Sequence, residues 1–405
     1  MRDKVDRFIV VSSVTCGILL LVVRSSLVPA VVSWATCFMV IGGFLRARQF
    51  RIVLFWRTLF LYILNLALGI VFIVDYSRYD GIDDFKVTFS VLMISFSAIS
   101  ATLLYLFPLP TPDPLIGQHK YIGTYSFNFP LNHDCCPASL RGMDKQNNVV
   151  TVQMWFPLDP QKFTLWERIK LMFSRKAMLW SSGNPLVEDT ECSSLLSYVC
   201  KSNNLPPLIT SHLPLAYTHS IYTPNLSHIL TPSSPMPVAF YSHGMYGWRQ
   251  ITTNVCESLA SMGYVCMSCD HTPDCMYTRP AYSSSSSQST PSMCSDGYKE
   301  YGFHVPTDME DRVFYGQGLK RRLFDIDSLV HFLLYIQCTS TYTRHPQKYT
   351  FDLPVYDELK RVCQPLERKI DVYRQLCMWG HSYGGGTVTA YACLHPSPVG
   401  GADEQ

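Results

Sequence analysis

An α/β domain on a largely parallel sheet, preceded by about four apolar spans, is the fold class that three observations predict. Only 16% of the 405 residues are charged and 47% are hydrophobic, against roughly 25% charged in an average soluble domain. The apolar excess is concentrated at the start of the chain. Beyond a Pro-rich break, short Val- and aromatic-rich runs alternate with amphipathic helix patterns, as strands alternate with helices in an α/β domain. A net charge of +2 lacks the basic footprint that nucleic-acid binding needs, so nucleic acid is excluded as a partner. Fifteen cysteines, scattered over the chain, are unlike the dense framework of a small secreted domain.

The apolar runs are Phe8–Val23, Leu27–Leu45, 52–74 (uncharged over Thr58–Val74) and Val87–Phe107. Each has about the 17–25 residues a helix needs to cross the hydrocarbon core, the first being the shortest. Its rival reading is a signal peptide, since Arg2, Lys4 and Arg7 precede it, but a small-residue cleavage site is missing. Counting Lys and Arg in the short loops gives three at the N-terminus and three at Arg46, Arg48 and Arg51. The opposite side has only Arg24, Arg78 and Lys86. The excess of positive charge predicts a multi-pass protein with both ends on the cytoplasmic side. The sequon Asn225-Leu226-Ser227 points the other way, and glycosylation there would overturn this orientation. No span holds a cluster of ionisable residues of the kind ion paths use, so the spans read as an anchor.

The stretch Pro108–Pro114 breaks any helix and marks a linker over 108–120, leaving 121–405 for the α/β domain. Strands are expected at Val149–Phe156, Val238–Tyr241, Tyr264–Met267 and Leu376–Trp379, with helices covering both faces of the sheet. Leu319, Leu323, Ile326, Val330 and Leu333 form one buried stripe of a helix, with Lys320, Arg321, Arg322 and Asp325 between them. Ser283–Ser287 and the residues to Ser295 read as a surface insertion.

The most informative segment is Leu376-Cys-Met-Trp-Gly380-His-Ser382-Tyr-Gly384-Gly-Gly386. It places a G-x-S-x-G pattern between a strand and a helix. Only glycine neighbours fit so sharp a turn, and the turn lifts Ser382 out of the sheet at a helix N-terminus. Gly380, His381 and Gly384 shape this turn. A second strand, Val238–Tyr241, runs into Ser242-His243-Gly244-Met245. Strand-to-His-Gly loops of this kind supply oxyanion donors, here the backbone N–H groups of Met245 and Tyr383. Each such donor is worth roughly a hundred- to a thousandfold in rate. His243 and Gly244 belong to the substrate-facing turn in this reading.

Through Pro237–Asp270 with His271, the basic helix Gly318–Asp327, and Trp379–Gly386, the chain resembles the platelet-activating factor acetylhydrolases, lipoprotein-type and intracellular. The similarity runs from about Tyr121 to Cys393. It implies an α/β-hydrolase fold and a phospholipase that removes short or oxidised sn-2 acyl groups without calcium, a 1-alkyl-2-acetylglycerophosphocholine esterase. Phospholipid is then the substrate, the membrane the partner, and no cofactor or metal is expected. Carried over, Ser382 is the nucleophile and Met245 and Tyr383 are the oxyanion donors. The four spans are not part of the better-known members.

The resemblance fails in one place. The family's acid lies on the strand after the nucleophile's helix and its histidine later still, yet only 23 residues follow Ser382. His395 stands at the far end of the expected helix Gly385–Leu394, some 15–20 Å from Ser382. Asp403 and Glu404 lie in a tail without strand character, and His381 reads as packed or bonded to backbone. The triad acid and base are therefore expected to be absent from this chain, which lacks the last strands and reads as a fragment or an inactive relative. A catalytically dead lipid-binding or membrane scaffold is the rival function.

Two other constellations have simpler readings. Cys266 and Cys269, with His271 and Cys275, have no second C-x-x-C at zinc spacing, and strand alternation sends the two thiols to opposite faces. Cys135-Cys136 reads as an inert pair. The segment 165–180, which mixes bulky apolar and charged residues, fits either a membrane-interface element or a cap helix over the site. Asp270-His271 is expected to shape the site.

Overall fold

The computed structural model describes residues 10–15, 18, 82–106, 113–131, 149–167, 176–178, 195–201, 203–206, 210, 213, 216–223, 226–271, 275–278, 301–302, 311–337 and 354–395. The expected spans 27–45 and 52–74, most of 8–23, the Ser-rich insertion, Asn225, Cys135-Cys136, Asp403 and Glu404 lie outside them. The chain divides into two compact units, one of Met1–Pro110 with Asn203–Ala216, the other of Thr111–Ser202 with Tyr217–Gln405.

In the first unit the principal described element is helix α1, Ile82–Leu106, at the position of the fourth expected span. Among the described residues no helix is long and apolar enough to cross a membrane; the side chains of residues 82–90 and 93 are not among those described. Where α1 is described, its burial does not follow polarity. Ser97, Ser100 and Leu104 are buried, while Val91, Leu92, Ile99, Tyr105 and Leu106 are exposed. The Thr102 hydroxyl donates to the Ala98 carbonyl, 2.9 Å away, one turn back.

The second unit holds the sheet. In chain order the strands are β1 Ile122–Pro130, β2 Val149–Pro157, β3 Lys176–Met178, β4 Tyr217–Tyr222, β5 Met236–Ser242, β6 Val265–Cys269, the small hairpin β7 Tyr277–Thr278 with β8 Tyr301–Gly302, then β9 Ile370–Asp371 and β10 Leu376–Gly380. The helices are α2 Thr253–Ser261, α3 Asp311–Gln337, α4 Pro354–Cys363, α5 Val372–Gln375 and α6 Tyr383–Leu394. Among the described residues the main sheet runs β10-β5-β6-β2-β1-β4-β3, with β9 beside β5. All four expected strands are present: β2 and β10 end one residue later, β5 begins two residues earlier and ends one later, and β6 begins one residue later and ends two later.

The expectation of a mostly parallel sheet is corrected. β5 is parallel to β6, β10 and β9, and β1 to β4, but β1–β2, β2–β6 and β3–β4 are antiparallel. Parallel pairing occurs where a helix returns the chain, as α2 does between β5 and β6; β1 and β2 run antiparallel over nine residues each. The result is a mixed α/β sheet consistent with an α/β-hydrolase.

Strand alternation divides the core in two. Met154, Val238, Phe240, Met267 and Cys269 face Phe324, Leu329, Phe332 and Leu333 of α3 and Tyr391 of α6. Trp155, Ala239 and Cys266 face Cys256 and Ala260 of α2. Cys266 and Cys269 thus lie on opposite faces as free, buried thiols. Burial pushes the Cys256 thiol up to about 12, so it is not a reactive thiolate. Each large apolar side chain buried this way contributes about 1.5–3 kcal/mol. Because β5, β6 and β10 are parallel, their C-terminal ends and the loops that follow them gather at one end of the sheet, where sites form in open α/β sheets.

Candidate active site

β10 ends at Gly380 and α6 begins at Tyr383, so His381 and Ser382 make the whole turn. A methyl group on Gly380 would lie 2.3 Å from the Gly384 carbonyl oxygen, and one on Gly384 2.0 Å from the Ser242 carbonyl oxygen. Both positions therefore require glycine. Ser382 adopts φ 53° and ψ −121°, a left-handed backbone that costs a non-glycine residue about 1–3 kcal/mol. Its side chain is exposed and makes no capping bond to its own helix. The hydroxyl is thus presented at the N-terminus of α6 rather than spent on local structure.

Gly380 pairs in register with Ser242, the last residue of β5. The segment His243-Gly244-Met245 therefore leaves the sheet alongside the turn. A methyl on Gly244 would stand 3.0 Å from the His381 carbonyl oxygen and 3.3 Å from Ser382 Cβ. Gly247 N–H closes the loop onto the Gly244 carbonyl at 3.0 Å, with Tyr246 at φ 59°. Met245 is half-buried between them. His381 is exposed rather than packed, though its N–H does donate to the Ser242 carbonyl at 3.3 Å. Tyr383 is half-buried, and its hydroxyl donates to the Tyr315 carbonyl of α3.

Behind this surface lies a polar cluster that the sequence did not disclose. His271 Nε2 is 3.0 Å from the Ser242 hydroxyl and Nδ1 is 3.1 Å from Asp325 Oδ2. Arg321 Nε donates to Asp325 Oδ1 at 3.2 Å. The His271 backbone N–H donates to His243 Nε2 at 3.0 Å, and His243 Nδ1 lies 2.7 Å from the Gly244 carbonyl. Arg322 Nη1 donates to the His243 carbonyl at 2.5 Å and Nη2 to the Gly244 carbonyl at 3.5 Å. The partners of His243, a carbonyl on Nδ1 and a backbone N–H on Nε2, fix its tautomer: the ring is neutral, carries its proton on Nδ1 and accepts at Nε2. Ser242, His271 and Asp325 have the order of contacts of a catalytic triad. All three are fully buried, so no ester reaches Ser242, and the cluster is framework.

Three members of this cluster are the polar residues between the stripe positions of the helix: Arg321, Arg322 and Asp325 are buried, because α3 packs apolar residues on the core and these polar residues under the site. Their spacing, two adjacent arginines and an acid one turn later, was the available signal. His243 likewise faces inward to this cluster and not outward to a substrate. A second buried pair, Arg249 and Asp270, holds the end of the same loop: the Arg249 backbone N–H donates to Asp270 Oδ1 at 2.7 Å and its guanidinium to Oδ2. His395 is at the far end of α6, its ring stacked on Tyr391 at 4.4 Å and Nε2 3.5 Å from Asp327. Leu165 and Trp166 are exposed beside a capping box in which Thr164 and Glu167 bond reciprocally, and Lys176–Met178 is strand rather than helix. Among the described residues no group of three His, Cys, Asp or Glu is placed to hold a metal.

Burial holds His243 and His271 well below the usual 6.5, reinforced by His271 and Arg322 for the first and by Arg322 and Arg321 for the second. Burial pushes Asp325 up to about 7 against the same two guanidiniums. The imidazoles, neutral in the fold, stabilise it fully above about pH 6.5, and that contribution is lost as the pH falls. Asp325 acts in the opposite sense, its contribution being lost as the pH rises from 3.8 toward about 7. Unfolding free energy is therefore expected to decrease as the pH falls below about 6.5, with Asp325 opposing part of the loss. Urea unfolding across that range measures it. His271→Gln should flatten the slope, and an unchanged slope in that variant would refute the assignment.

Residues 202–395 match the family described as Platelet-activating factor acetylhydrolase, isoform II. No curated protein sequence matches the chain. Among solved structures, a ferulic acid esterase from Streptomyces cinnamoneus is similar at 16% identity with a TM-score of 0.39, over 68% of this chain and 56% of that one.

Proposed function

We propose, from the match of residues 202–395 to the platelet-activating factor acetylhydrolase family, that this chain is a carboxylic ester hydrolase, a membrane-anchored 1-alkyl-2-acetylglycerophosphocholine esterase. The observation that carries the proposal is the exposed Ser382 hydroxyl at a strained, glycine-enforced turn. Its Oγ attacks the sn-2 carbonyl carbon of a phospholipid bearing a short or oxidised acyl chain. The carbonyl oxygen takes the negative charge against the N–H groups of Met245 and Tyr383, the C–O bond to glycerol breaks, and water resolves the acyl-enzyme. The products are a lysophospholipid and a short carboxylic acid.

Two features support the membrane seat. Four apolar runs precede residue 108. In the described part of α1, Ser97 and Ser100 are buried while Val91, Leu92, Ile99 and Leu106 are exposed, as on helices whose small residues pack and whose aliphatic ones face lipid. The Lys and Arg count supports placing the hydrolase domain on the cytoplasmic side.

Among the described residues no imidazole or carboxylate is hydrogen-bonded to the Ser382 hydroxyl. This chain is therefore expected to turn over a short-chain sn-2 phospholipid several orders of magnitude more slowly than an enzyme whose serine is paired with such a base. A fluorophosphonate probe applied to the full chain is expected to label it, and Ser382→Ala to abolish labelling. If the full chain is never labelled, the scaffold reading replaces this one.

A further inference from the structure

Arg322 touches both segments that carry the oxyanion N–H groups. Its guanidinium donates to the His243 and Gly244 carbonyls and also lies 4.5 Å over the Tyr383 ring. The ring is held from the other side, its hydroxyl bonded to the Tyr315 carbonyl and its edge against the Tyr315 ring at 5.8 Å between centroids. Arg322 itself is fully buried in the middle of α3. Removing a guanidinium from water costs several kcal/mol, which an apolar side chain of similar volume would avoid. A purely structural filler is therefore a poor account of its chemistry.

The geometry points to Arg322 as a positioning residue that clamps the two arms of the oxyanion site together. In a trans peptide the N–H and C=O point in opposite directions. With the Gly244 carbonyl engaged by the Gly247 N–H, His243 and Arg322, the Met245 N–H of the same peptide points the opposite way, away from the guanidinium. The same cation lies against the face of Tyr383, whose own N–H is the other donor. A planar fork is needed because two carbonyls and a ring face are engaged from one centre; a lysine ammonium carries the charge but not the fork. Asp325, His271 and Arg321 surround this centre, and the Gly244 carbonyl also accepts from His243 Nδ1 and the Gly247 N–H.

The clamp rests on the esterase reading for its purpose but not for its existence, so two measurements separate them. Amide hydrogen exchange of the full chain, read by mass spectrometry, is expected to accelerate together over 243–250 and 380–386 in Arg322→Lys, with 122–130 and 149–157 unchanged. Fluorophosphonate labelling of Ser382 is expected to slow about a hundredfold, the scale of losing one oxyanion donor. Wild-type exchange in either arm, or acceleration spread equally over β1 and β2, overturns the clamp. Tyr383→Leu removes only the ring contact and should loosen 380–386 while leaving 243–250 protected; unchanged exchange at 380–386 in that variant also overturns it. Coupled loosening in a protein that never labels at Ser382 supports the clamp and refutes the esterase.

Discussion

Gly384→Ala is expected to abolish Ser382-dependent labelling and to destabilise the domain by about 3 kcal/mol or more. The added methyl would sit 2.0 Å from the Ser242 carbonyl oxygen and 2.6 Å from that of His243. Neither can retreat at low cost. Ser242 is paired with Gly380 in the sheet, and the His243 carbonyl is held by Arg322. The overlap must be relieved by moving α6 away from β5, which takes Ser382 with it. Overpacking a rigid site costs about 1–3 kcal/mol, and a clash with backbone on both sides belongs at or above the top of that range. Gly386 is the control, since nothing lies within 4 Å of a methyl placed there. Gly386→Ala is expected to keep full labelling and to be neutral or more stable by up to about 1 kcal/mol, as helix propensity dictates. Urea unfolding and labelling rates of the two variants test this, and a Gly384→Ala protein that labels at the wild-type rate would sink the steric account of the turn.

Asp270→Ala should be the most destabilising change away from the glycines, costing about 3–5 kcal/mol. Arg249 is 1% exposed and Asp270 fully buried. The carboxylate accepts both the backbone N–H and the guanidinium of Arg249, and its loss deprives a buried cation of its counter-ion. The effect of deleting one partner differs from the net worth of the pair, so the double variant Arg249→Met/Asp270→Leu is expected to recover most of the loss. Chemical denaturation of the three proteins checks this. A single variant within about 1 kcal/mol of wild type would mean that the pair contributes little to holding the loop after β5.

The contrast between these sites explains what the sequence disclosed. The turn at Ser382 was legible because its chemistry is local: glycines at fixed offsets, a strand before and a helix after. The four apolar strands were legible for the same reason. β1 was missed because Gly123, Ser126, Asn128 and Pro130 interrupt the apolar signal; only Tyr125, Phe127 and Phe129 alternate, and the strand is held by register with β2. β4, with Thr218, His219 and Ser220 at its centre, depends on the buried Glu257 carboxylate, which accepts from the Ser220 N–H at 2.6 Å, a partner supplied by α2 far along the chain. The buried cluster joins residues from β5, β6 and α3, and no periodicity in any one of them announces it. Arg322 in particular looks like an ordinary solvated cation until α3 is docked.

The position of β10 has a consequence for how such a site is completed. Among the described residues the strand that delivers Ser382 is bordered by β5 on one flank and by no strand on the other, and Cys377 at its centre is exposed. An uncovered flank of this kind is a row of amide and carbonyl groups ready to template another segment. A strand that docks there in the same direction as β10 arrives with its last residues level with the hydroxyl, which is where a proton acceptor has to stand. Pairing along this flank is in this sense a means of placing a side chain beside the nucleophile.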